Sequence, residues 1–345
     1  MRKICVIGHF AFGKELLNGQ TIKTKIITNE LERQLGKKQV LKIDTHGGKK
    51  MIVKQFFQVG DAMRKCENVV MLPAHNGVRF FSPLLCFYKH FFHKKIHYVV
   101  IGGWLPDLVK KKKKLYVYLK KFDGIYVETT SMKKTLEEIG FKNIYIMPNC
   151  KRLNIVKRED LIYSVEAPYR LCTFSRVTQE KGIEDAINAV INLNNKMGRT
   201  VFLLDIYGQI EESYKNRFKQ MQKTFPNYVH YCGCVAYDQT TNVLKKYFAL
   251  LFPTRFFTEG IPGTVIDAYA AGVPVIASRW ESFNDVIKEQ LVGIGYEFGN
   301  NEELIEILKY MIKNVTEFNH MKEKCVEEAK QYLPERCIKV LIEQL

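Results

Sequence analysis

The sequence predicts an α/β protein with two doubly wound parallel sheets. Short apolar runs alternate with amphipathic stretches along the chain, which is the pattern of consecutive βαβ units. Turns that contain Gly, Pro or Asn separate these runs, as expected between the strands and helices of such units. The chain has 345 residues, which is long enough for two domains that each bury a core.

The segment 249–278 is the clearest of the predicted βαβ units. The apolar run 249–253 predicts a buried strand, a turn with Gly and Pro follows, and a helix with apolar positions between Val265 and Ala271 ends at Gly272. The start of this helix is therefore expected at the carboxyl edge of the sheet. Parallel sheets bind ligands at that edge, and the free N–H groups of a helix N-terminus favour an anion.

Two carboxylates belong to this unit, Glu259 in the turn and Asp267 eight positions later. We expect this spacing, about two helical turns, to place both carboxylates along one elongated polar ligand. Free N–H groups for phosphate and two acceptors for hydroxyl groups together suit a nucleotide sugar. An ordinary turn with two solvated acids is the alternative interpretation.

The unit resembles the retaining glycosyltransferases of the GT-B fold, specifically glycosyltransferase family 4. The family pattern is a Glu, seven residues, a second Glu, and a helix that ends in G-x-P-V-I-A. Here Glu259 is followed after seven residues by Asp267, and residues 272–277 read G-V-P-V-I-A. The resemblance implies that Glu259 contacts the donor sugar and that Asp267 contacts the ribose, with an acid of shorter reach than the family's Glu.

A second motif of the family precedes this unit. The family has R-x4-K-G after the first strand of its second domain, and here Arg176 and Lys181 occupy these positions after the predicted strand 169–174. The resemblance implies that the two cations hold the donor diphosphate. They would also offset the charge that grows on the diphosphate as the glycosidic bond breaks.

The resemblance thus implies the catalytic residues Glu259, Arg176 and Lys181 within a larger donor-binding set. That set consists of Gly19 in the first βα turn together with Arg176, Lys181, Gly208, Cys234, Val235, Glu259, Gly260, Ile261, Gly263, Thr264 and Asp267. No D-x-D motif stands at the end of a predicted strand, so we expect no metal site. We also expect no cofactor, since a UDP- or GDP-sugar is the co-substrate that the resemblance implies.

The first domain is predicted to span residues 1–165 and to contribute the acceptor contacts. Its predicted strands are 3–8, 39–44, 68–73, 97–101, 124–128 and 144–147, and its predicted helices are 20–35, 49–65, 82–97 and 131–139. His75 in a predicted turn at 75–77, Trp104 and Asp107 follow strand ends and are the candidate acceptor contacts. Many family members have a His after strand 97–101, where this chain has Gly102-Gly103, which leaves room for a bulky acceptor.

The second domain is predicted to span residues 166–330 after a polar linker at 151–167. Its predicted strands are 169–174, 201–207, 229–232, 249–253, 275–277 and 291–296, and its predicted helices include 183–194, 214–224, 238–247, 301–313 and 317–332. The resemblance implies that the two Rossmann-like domains face a cleft. It also implies that residues 331–345 form a helix returning to the first domain through Ile338, Val340, Leu341 and Leu345.

The net positive charge of the chain belongs entirely to its first part. The formal net charge is +17, and residues 1–165 hold 32 Lys and Arg against 13 Asp and Glu, whereas the remainder holds 21 against 23. Phe and Lys are interleaved at 80–97, and five lysines occupy 110–114, a combination that favours the interface of an anionic bilayer. A packed aromatic core with solvated lysines and a surface for single-stranded nucleic acid are the alternatives. No known nucleic-acid-binding module is recognisable, so we expect no nucleic-acid partner.

The composition also bears on location. No apolar run approaches the roughly 18 residues of a transmembrane helix, and the N-terminal run is too short for a signal peptide. The nine cysteines are an odd number, which indicates reduced thiols. We expect a cytoplasmic protein that is peripheral on the inner face of the cell membrane.

The function that the resemblance implies is metal-independent, retaining transfer of a hexosyl-type sugar from a nucleotide sugar to a glycan acceptor. The basic, aromatic first domain favours a lipid-linked acceptor such as a polyprenyl diphosphate glycan. Such acceptors occur in the biosynthesis of capsule, exopolysaccharide and lipopolysaccharide. The alternatives are a nucleotide-sugar epimerase of the same fold and a nucleic-acid-binding protein.

Overall fold

The computed structural model describes residues 2–14, 19–47 and 51–345. The chain forms two compact units. The first unit contains the residues up to Arg152 together with Tyr332–Leu345, and the second unit is Leu153–Gln331. Each unit holds one parallel six-stranded sheet, which confirms the predicted α/β class with two doubly wound sheets.

The strands come at regular intervals along the chain. In the first unit they are β1 Arg2–Gly8, β2 Val40–Asp44, β3 Cys66–Met71, β4 Lys95–Val99, β5 Gly124–Val127 and β6 Ile144–Ile146. In the second unit they are β7 Tyr169–Phe174, β8 Phe202–Tyr207, β9 Val229–Gly233, β10 Ala249–Phe252, β11 Val275–Ser278 and β12 Gly293–Tyr296. Most strands are apolar on both faces because helices cover both sides of each sheet.

The helices connect successive strands. Those of the first unit are α1 Gly19–Leu35, α2 Ile52–Lys65, α3 His75–Phe92, α4 Leu105–Lys111, α5 Lys113–Leu119 and α6 Thr130–Ile139. Those of the second unit are α7 Ile183–Met197, α8 Lys215–Gln222, α9 Thr240–Leu244, α10 Gly263–Ala270, α11 Phe283–Val286, α12 Asn301–Lys313 and α13 Val315–Ala329. The short helices α14 Pro334–Cys337 and α15 Lys339–Ile342 end the chain and belong to the first unit.

The first sheet has the order β2-β1-β3-β4-β5-β6. Alternate residues of β1 point to opposite sides, so Cys5 and Ile7 face the core under α2 to α6, whereas Ile4 and Val6 face the core under α1 and the C-terminal segment. The sheet is thus covered on both faces.

Two predictions for the first unit are wrong in detail. The helix predicted at 82–97 is α3, which begins at His75 and therefore includes the residues predicted as a turn at 75–77. Pro83 lies in the third turn of this helix. Proline is more typical of the first turn, where its missing N–H is not needed. The helix ends at His93 in the left-handed region, and β4 begins at Lys95. Of the helix predicted at 49–65, Lys49 and Lys50 lie outside the described residues.

The boundary between the units lies earlier than the predicted boundary at residue 165. Residues 153–165 pack on the second unit: the N–H of Val156 donates to the carbonyl of Ala270 at 2.8 Å, and Arg158 pairs with Glu323. Leu161 lies against Gly272 and Val326. Polar composition therefore does not make this segment a free linker, because a few apolar and charged contacts attach it.

The C-terminal segment completes the first unit. Ile338 and Leu341 are buried in the same core as Ile4 and Ile27, and a lysine of β4, Lys95, donates to the carbonyl of Gln344 at 2.9 Å. The single helix predicted for 331–345 is instead the two short helices α14 and α15.

Candidate functional site

The second sheet has the order β12-β11-β10-β7-β8-β9, so the chain reverses direction across the sheet between β7 and β10. Such a switch point is where open α/β sheets bind ligands, beside the carboxyl ends of the strands. The loop after β7 carries Arg176 and Lys181, and the loop after β10 carries Glu259. Strand order therefore places the two motifs side by side although they are far apart in sequence.

Gly182 allows these two loops to touch. Its backbone is left-handed, with φ of 64°, and a Cβ at this position would lie 1.8 Å from the carbonyl oxygen of Pro253. An L-amino acid with a side chain would have to push the loops apart. Gly208, at the end of β8, makes a similar approach, since a Cβ there would lie 1.7 Å from the carbonyl oxygen of Ser175.

Lys181 and Glu259 form an ion pair at this edge. Both side chains are mostly shielded from solvent, at 16% and 18% exposure, and the Lys181 Nζ lies 5.5 Å from the centre of the Phe252 ring. The structure thus brings two of the three predicted catalytic side chains into contact. A half-buried pair of this kind leaves an uncompensated charge if one partner is removed.

Arg176 is more exposed than its predicted partners. Its side chain is 70% exposed, and its Nη1 lies 3.9 Å from Glu211 Oε1 rather than beside Glu259. The pKa of Glu180 is nevertheless held below its usual range, first by hydrogen bonds from its own backbone and from Thr178, and further by the charges of Arg176 and Lys181. The two cations therefore act on one small region of the loop.

Helix α10 presents its N-terminus at the same edge. Among the described residues, the backbone N–H groups of Gly263 and Thr264 have no hydrogen-bond partner, and the buried Thr264 hydroxyl has none either. Pro262 at the N-cap provides no side-chain cap. Unpaired donors at a helix start are suited to an anion such as a phosphate group.

The expected two-turn spacing of the carboxylates is wrong. Ile261 precedes Pro262, a position that disfavours helical backbone, and α10 begins only at Gly263, so Glu259 lies outside the helix. Asp267 lies in the second turn of α10 and is only 8% exposed. The two carboxylates therefore do not share one helix face.

Sequence reasoning missed an ion pair that supports the Glu259 loop. Arg255 Nε and Nη2 donate to the carboxylate of Asp185 at 2.7 and 2.6 Å, and the Asn301 amide donates to the same carboxylate at 2.7 Å. The Arg255 N–H also donates to the carbonyl of Glu180 at 2.8 Å. Asp185 is buried and follows the K-G motif by three positions, but no local pattern shows that its partner is Arg255.

The remaining predicted donor residues occupy separate places. Gly260 and Ile261 are buried in the loop before α10, whereas Cys234 and Val235 follow β9 at the sheet edge, with Cys234 exposed. In the first unit, Gly19 begins α1, and a side chain there would meet nothing within 4 Å. Residues 15–18 before it lie outside the described residues. The donor roles of all five stay predictions.

The candidate acceptor residues His75 and Trp104 are in contact. Their rings stack at 4.0 Å between centroids, beyond the adjacent strands β3 and β4, and Trp104 Nε1 donates to the carbonyl of Ile101 at 2.7 Å. Asp107 lies exposed in the first turn of α4. A ring pair held in this way is a platform on which a sugar or another flat apolar face can pack.

A buried ion pair lies next to Gly102. Lys23 of α1 pairs with Glu128, which follows β5, and both side chains are buried. Glu128 Oε1 also accepts a weak hydrogen bond of 3.4 Å from the Gly102 N–H. The position where many family members carry a His thus has a carboxylate beneath it, and the sequence provided no signal for that placement.

A second carboxylate in the first unit organises the loop after β1. Asp44, at the end of β2, accepts hydrogen bonds from the N–H groups of Phe10, Phe12 and His46 at 2.9–3.0 Å. Burial alone would raise the pKa of Asp44, but these donors hold it below its usual range. This loop is therefore anchored at the carboxyl edge of the sheet, on the side of β1 that faces β2.

Among the described residues, no group of His, Cys, Asp and Glu is arranged to hold a metal ion. In that part of the chain there is also no helix long and apolar enough to cross a membrane.

Comparison with known families defines the class of the second unit. Residues 163–332 match the family model "Glycosyl transferases group 1", so this part of the chain carries a domain of that family. Both motifs described above lie within the matched residues.

Two curated relatives each resemble about half of the chain. The uncharacterized glycosyltransferase MJ1069 of Methanocaldococcus jannaschii is 22% identical over 48% of this chain, and the amylovoran biosynthesis glycosyltransferase AmsK of Erwinia amylovora is 24% identical over 50%. The match spans 41% of the length of each relative.

The whole chain resembles solved structures. HepE (Alr3699) of Anabaena, solved in complex with UDP, has a TM-score of 0.77 with 12% identity and covers 99% of this chain and 98% of its own. At this identity the likeness shows the fold alone, which is the two-domain α/β fold of GT-B glycosyltransferases.

Proposed function

We propose that this protein is a retaining glycosyltransferase that moves a sugar from a UDP- or GDP-sugar to a glycan acceptor in surface polysaccharide biosynthesis. The observation that carries the proposal is the contact of Lys181 with Glu259 at the switch point of a glycosyl transferases group 1 domain. Relatives that are named as glycosyltransferases support transfer rather than epimerisation.

The residues of the second unit have distinct roles in this proposal. The free N–H groups of Gly263 and Thr264 bind the donor diphosphate, and Lys181 and Arg176 balance its charge. When the bond from the anomeric carbon to the diphosphate breaks, the nucleoside diphosphate leaves with the bonding electrons, and the nearby cations stabilise this charge. The acceptor hydroxyl forms the new bond from the same side and passes its proton to the departing diphosphate.

In this proposal, the side chain of Glu259 changes its partner when the sugar donor binds. Without donor it pairs with Lys181, and with donor it accepts hydrogen bonds from the hydroxyl groups of the sugar, while Lys181 turns to the diphosphate. Asp267 accepts from the ribose, for which its burial in α10 requires a close approach of the nucleoside. Reaction needs no bound metal in this arrangement, since the cations and the helix N-terminus supply the positive charge.

The acceptor in this proposal is a lipid-linked glycan. His75 and Trp104 offer a stacked aromatic platform to a sugar ring, and Asp107 offers a hydrogen-bond acceptor one helical turn away. The name of the AmsK relative, from amylovoran biosynthesis, supports a polysaccharide pathway. The basic first unit supports work at an anionic membrane surface, where such lipids reside.

The proposal is tested by measuring release of nucleoside diphosphate from a panel of UDP- and GDP-sugars, after thermal shift has identified those that bind. We expect Lys181→Ala and Glu259→Gln each to lower transfer by about 100-fold or more without unfolding the chain. The control variants Lys215→Ala and Glu212→Gln remove an exposed ion pair of the same unit and should retain full activity.

Two outcomes would contradict the proposal. Full turnover by Lys181→Ala or Glu259→Gln would remove these residues from the chemistry. Release of nucleoside diphosphate that is independent of acceptor, together with an isomerised sugar, would indicate the epimerase instead.

A further inference from the structure

Helices α2 and α3 of the first unit expose four phenylalanines. Phe56 and Phe57 on α2 and Phe87 and Phe91 on α3 are between 39% and 69% exposed. The opposite sides of the same helices are already in the core, through residues such as Val59 and Leu85. The exposed rings therefore lie on the solvent side of helices whose other side already packs in the core.

The four rings belong to one continuous strip, which we call the aromatic face and which also includes Tyr88. Successive ring centroids are 5.7 Å apart from Phe57 to Phe56, 5.4 Å from Phe56 to Tyr88, 5.3 Å from Tyr88 to Phe87 and 5.1 Å from Phe87 to Phe91. The two helices are joined there, since the Tyr88 hydroxyl donates to the carbonyl of Phe56 at 3.2 Å. A contiguous apolar patch of this kind marks an interaction surface, whereas scattered exposed residues do not.

The part of the chain that carries the aromatic face is strongly basic. Residues 51–121 contain 14 Lys and Arg against three Asp and Glu. Helix α5 packs beside α3, where Tyr118 and Lys121 offer their carbonyls to Cys86 Sγ at 3.4 Å and to Lys89 Nζ at 3.0 Å.

The five lysines at the end of α4 and the start of α5 can bind an anionic partner. Lys110–Lys114 are exposed, and the salt bridges of the described residues include none with these five. Of the three acids in the segment, Asp61 is already paired with Arg64 and Lys65. The positive charge around the aromatic face is thus largely uncompensated.

Ring orientation distinguishes the possible anionic partners. Neighbouring rings of the aromatic face meet at steep angles, 88° for Phe56 and Phe57, 69° for Phe87 and Tyr88, and 66° for Phe87 and Phe91. They offer no row of parallel faces on which successive bases of a single strand could stack. Rings of any orientation can enter the boundary between headgroups and acyl chains, with lysines beside them on the lipid phosphates.

We propose that the aromatic face, together with the exposed Lys110–Lys114 of the same unit, docks the first unit onto an anionic lipid bilayer. Phe57 and Phe91 enter the boundary region, and the lysines contact the headgroups. This inference builds on the lipid-linked acceptor of the proposed function and names the surface that reaches the membrane. Vesicle binding is measured without any sugar donor, so its result is independent of glycosyl transfer.

The test is flotation of the full chain with vesicles of phosphatidylcholine and phosphatidylglycerol in equal parts, and with vesicles of phosphatidylcholine alone. We expect binding to the anionic vesicles that weakens as salt is added. The double variant Phe57→Ser/Phe91→Ser and the triple variant Lys112→Gln/Lys113→Gln/Lys114→Gln should each weaken binding by about tenfold or more. Both should keep the wild-type thermal unfolding midpoint and the wild-type release of nucleoside diphosphate with a water-soluble acceptor.

Matched variants of the second unit are the controls. Val165→Ser removes an exposed apolar side chain, and Lys215→Gln/Lys219→Gln/Lys223→Gln removes three lysines around α8. Neither should change vesicle binding.

Three results would overturn the inference. They are absence of vesicle binding by the wild type at low salt, equal loss of binding in the control variants, and tighter binding to a single-stranded oligonucleotide than to the anionic vesicles. Vesicle binding by a chain that transfers no sugar would refute the proposed function and leave the docking face intact.

Discussion

At the scale of single residues, the candidate site contains a backbone contact that is too close for any residue with a side chain. Gly182 lies between the loop that carries Lys181 and the strand end that leads to Glu259, and it touches the carbonyl oxygen of Pro253. Any Cβ at this position would separate the loops and with them the Lys181–Glu259 ion pair. The close contact therefore explains why the K-G motif needs a glycine at position 182, in addition to the lysine at position 181.

A side chain at Gly182 would cause both backbone strain and a steric clash. Comparison with Gly198 separates these two contributions to the free energy of unfolding. Gly182 and Gly198 have nearly equal φ angles of 64° and 63°, but a Cβ at Gly198 would meet nothing within 4 Å. We expect Gly198→Ala to cost about 1 kcal/mol of unfolding free energy, from backbone strain alone. Gly182→Ala should cost about 3 kcal/mol or more, because the clash adds to the strain.

Urea unfolding of both variants measures this difference, and nucleoside diphosphate release shows whether transfer falls only in Gly182→Ala. Equal destabilisation by the two substitutions would mean that the approach to Pro253 is not tight.

At the scale of elements, the three predicted catalytic residues lie in loops, and buried or partly buried carboxylates hold loops of both units in place. Asp185 holds the Glu259 loop through Arg255, and Asp44 holds the loop after β1 through the N–H groups of Phe10, Ala11 and Phe12. Each carboxylate belongs to a neighbouring element and not to the loop that it stabilises. The helices and strands therefore position these loops through side-chain contacts as well as through the chain connections at the two ends of each loop.

The Asp44 contacts predict a pH-dependent stability. The folded-state pKa of Asp44 is below its usual value, so the carboxylate stabilises the fold at neutral pH and loses this effect as the pH falls below about 4. We expect Asp44→Asn to lower the unfolding free energy by about 1–3 kcal/mol at pH 7. The difference from wild type should shrink steadily at pH values below about 4, because the wild-type carboxyl then becomes neutral too.

Urea titrations at a series of pH values test this expectation. Asp107→Asn, which changes an exposed carboxylate of α4, is the control and should shift stability by less than about 0.5 kcal/mol at any pH. A pH-independent difference between wild type and Asp44→Asn would show that the hydrogen bonds do not depend on the charge.

At the scale of the whole molecule, the chain divides its properties between two units. The first unit has all of the net positive charge and the aromatic face, and the second has both sequence motifs and the match to the glycosyltransferase family. The chain enters the second unit after Arg152 and returns to the first at Tyr332. Stability of the first unit therefore depends in part on residues that follow the second unit in the sequence.

The returning segment gives a direct prediction. Leu341 is fully buried in the core with Ile4 and Ile27, so Leu341→Ala should lower the stability of the first unit by about 2–5 kcal/mol. Val340→Ala, at a half-buried neighbour, is the control and should cost less than about 1.5 kcal/mol.

Tryptophan fluorescence can assign the effect to one unit. The chain has two tryptophans, Trp104 in the first unit and Trp280 in the second. In a Trp280→Phe background, the unfolding midpoint from Trp104 fluorescence should fall for Leu341→Ala. An unchanged midpoint would contradict the placement of the C-terminal segment in that core.

By itself, the sequence determined the fold class, the succession of most strands along the chain, the charge asymmetry and the two family motifs. Each is a local pattern: an apolar run is a buried strand of a parallel sheet because both of its faces are covered, and a motif is a spacing along the chain. The start of α3 was not determined, because Pro83 looks like a helix start although its helix had already begun at His75.

Only the tertiary structure decided which residues meet. Lys181 and Glu259 are 78 positions apart, and they pair because β7 and β10 are neighbours in the sheet. The same holds for Arg255 with Asp185, for Lys23 with Glu128, and for the rings that join α2 to α3. The physical reason is that these contacts depend on strand order and helix packing, which bring together residues that no spacing along the chain relates.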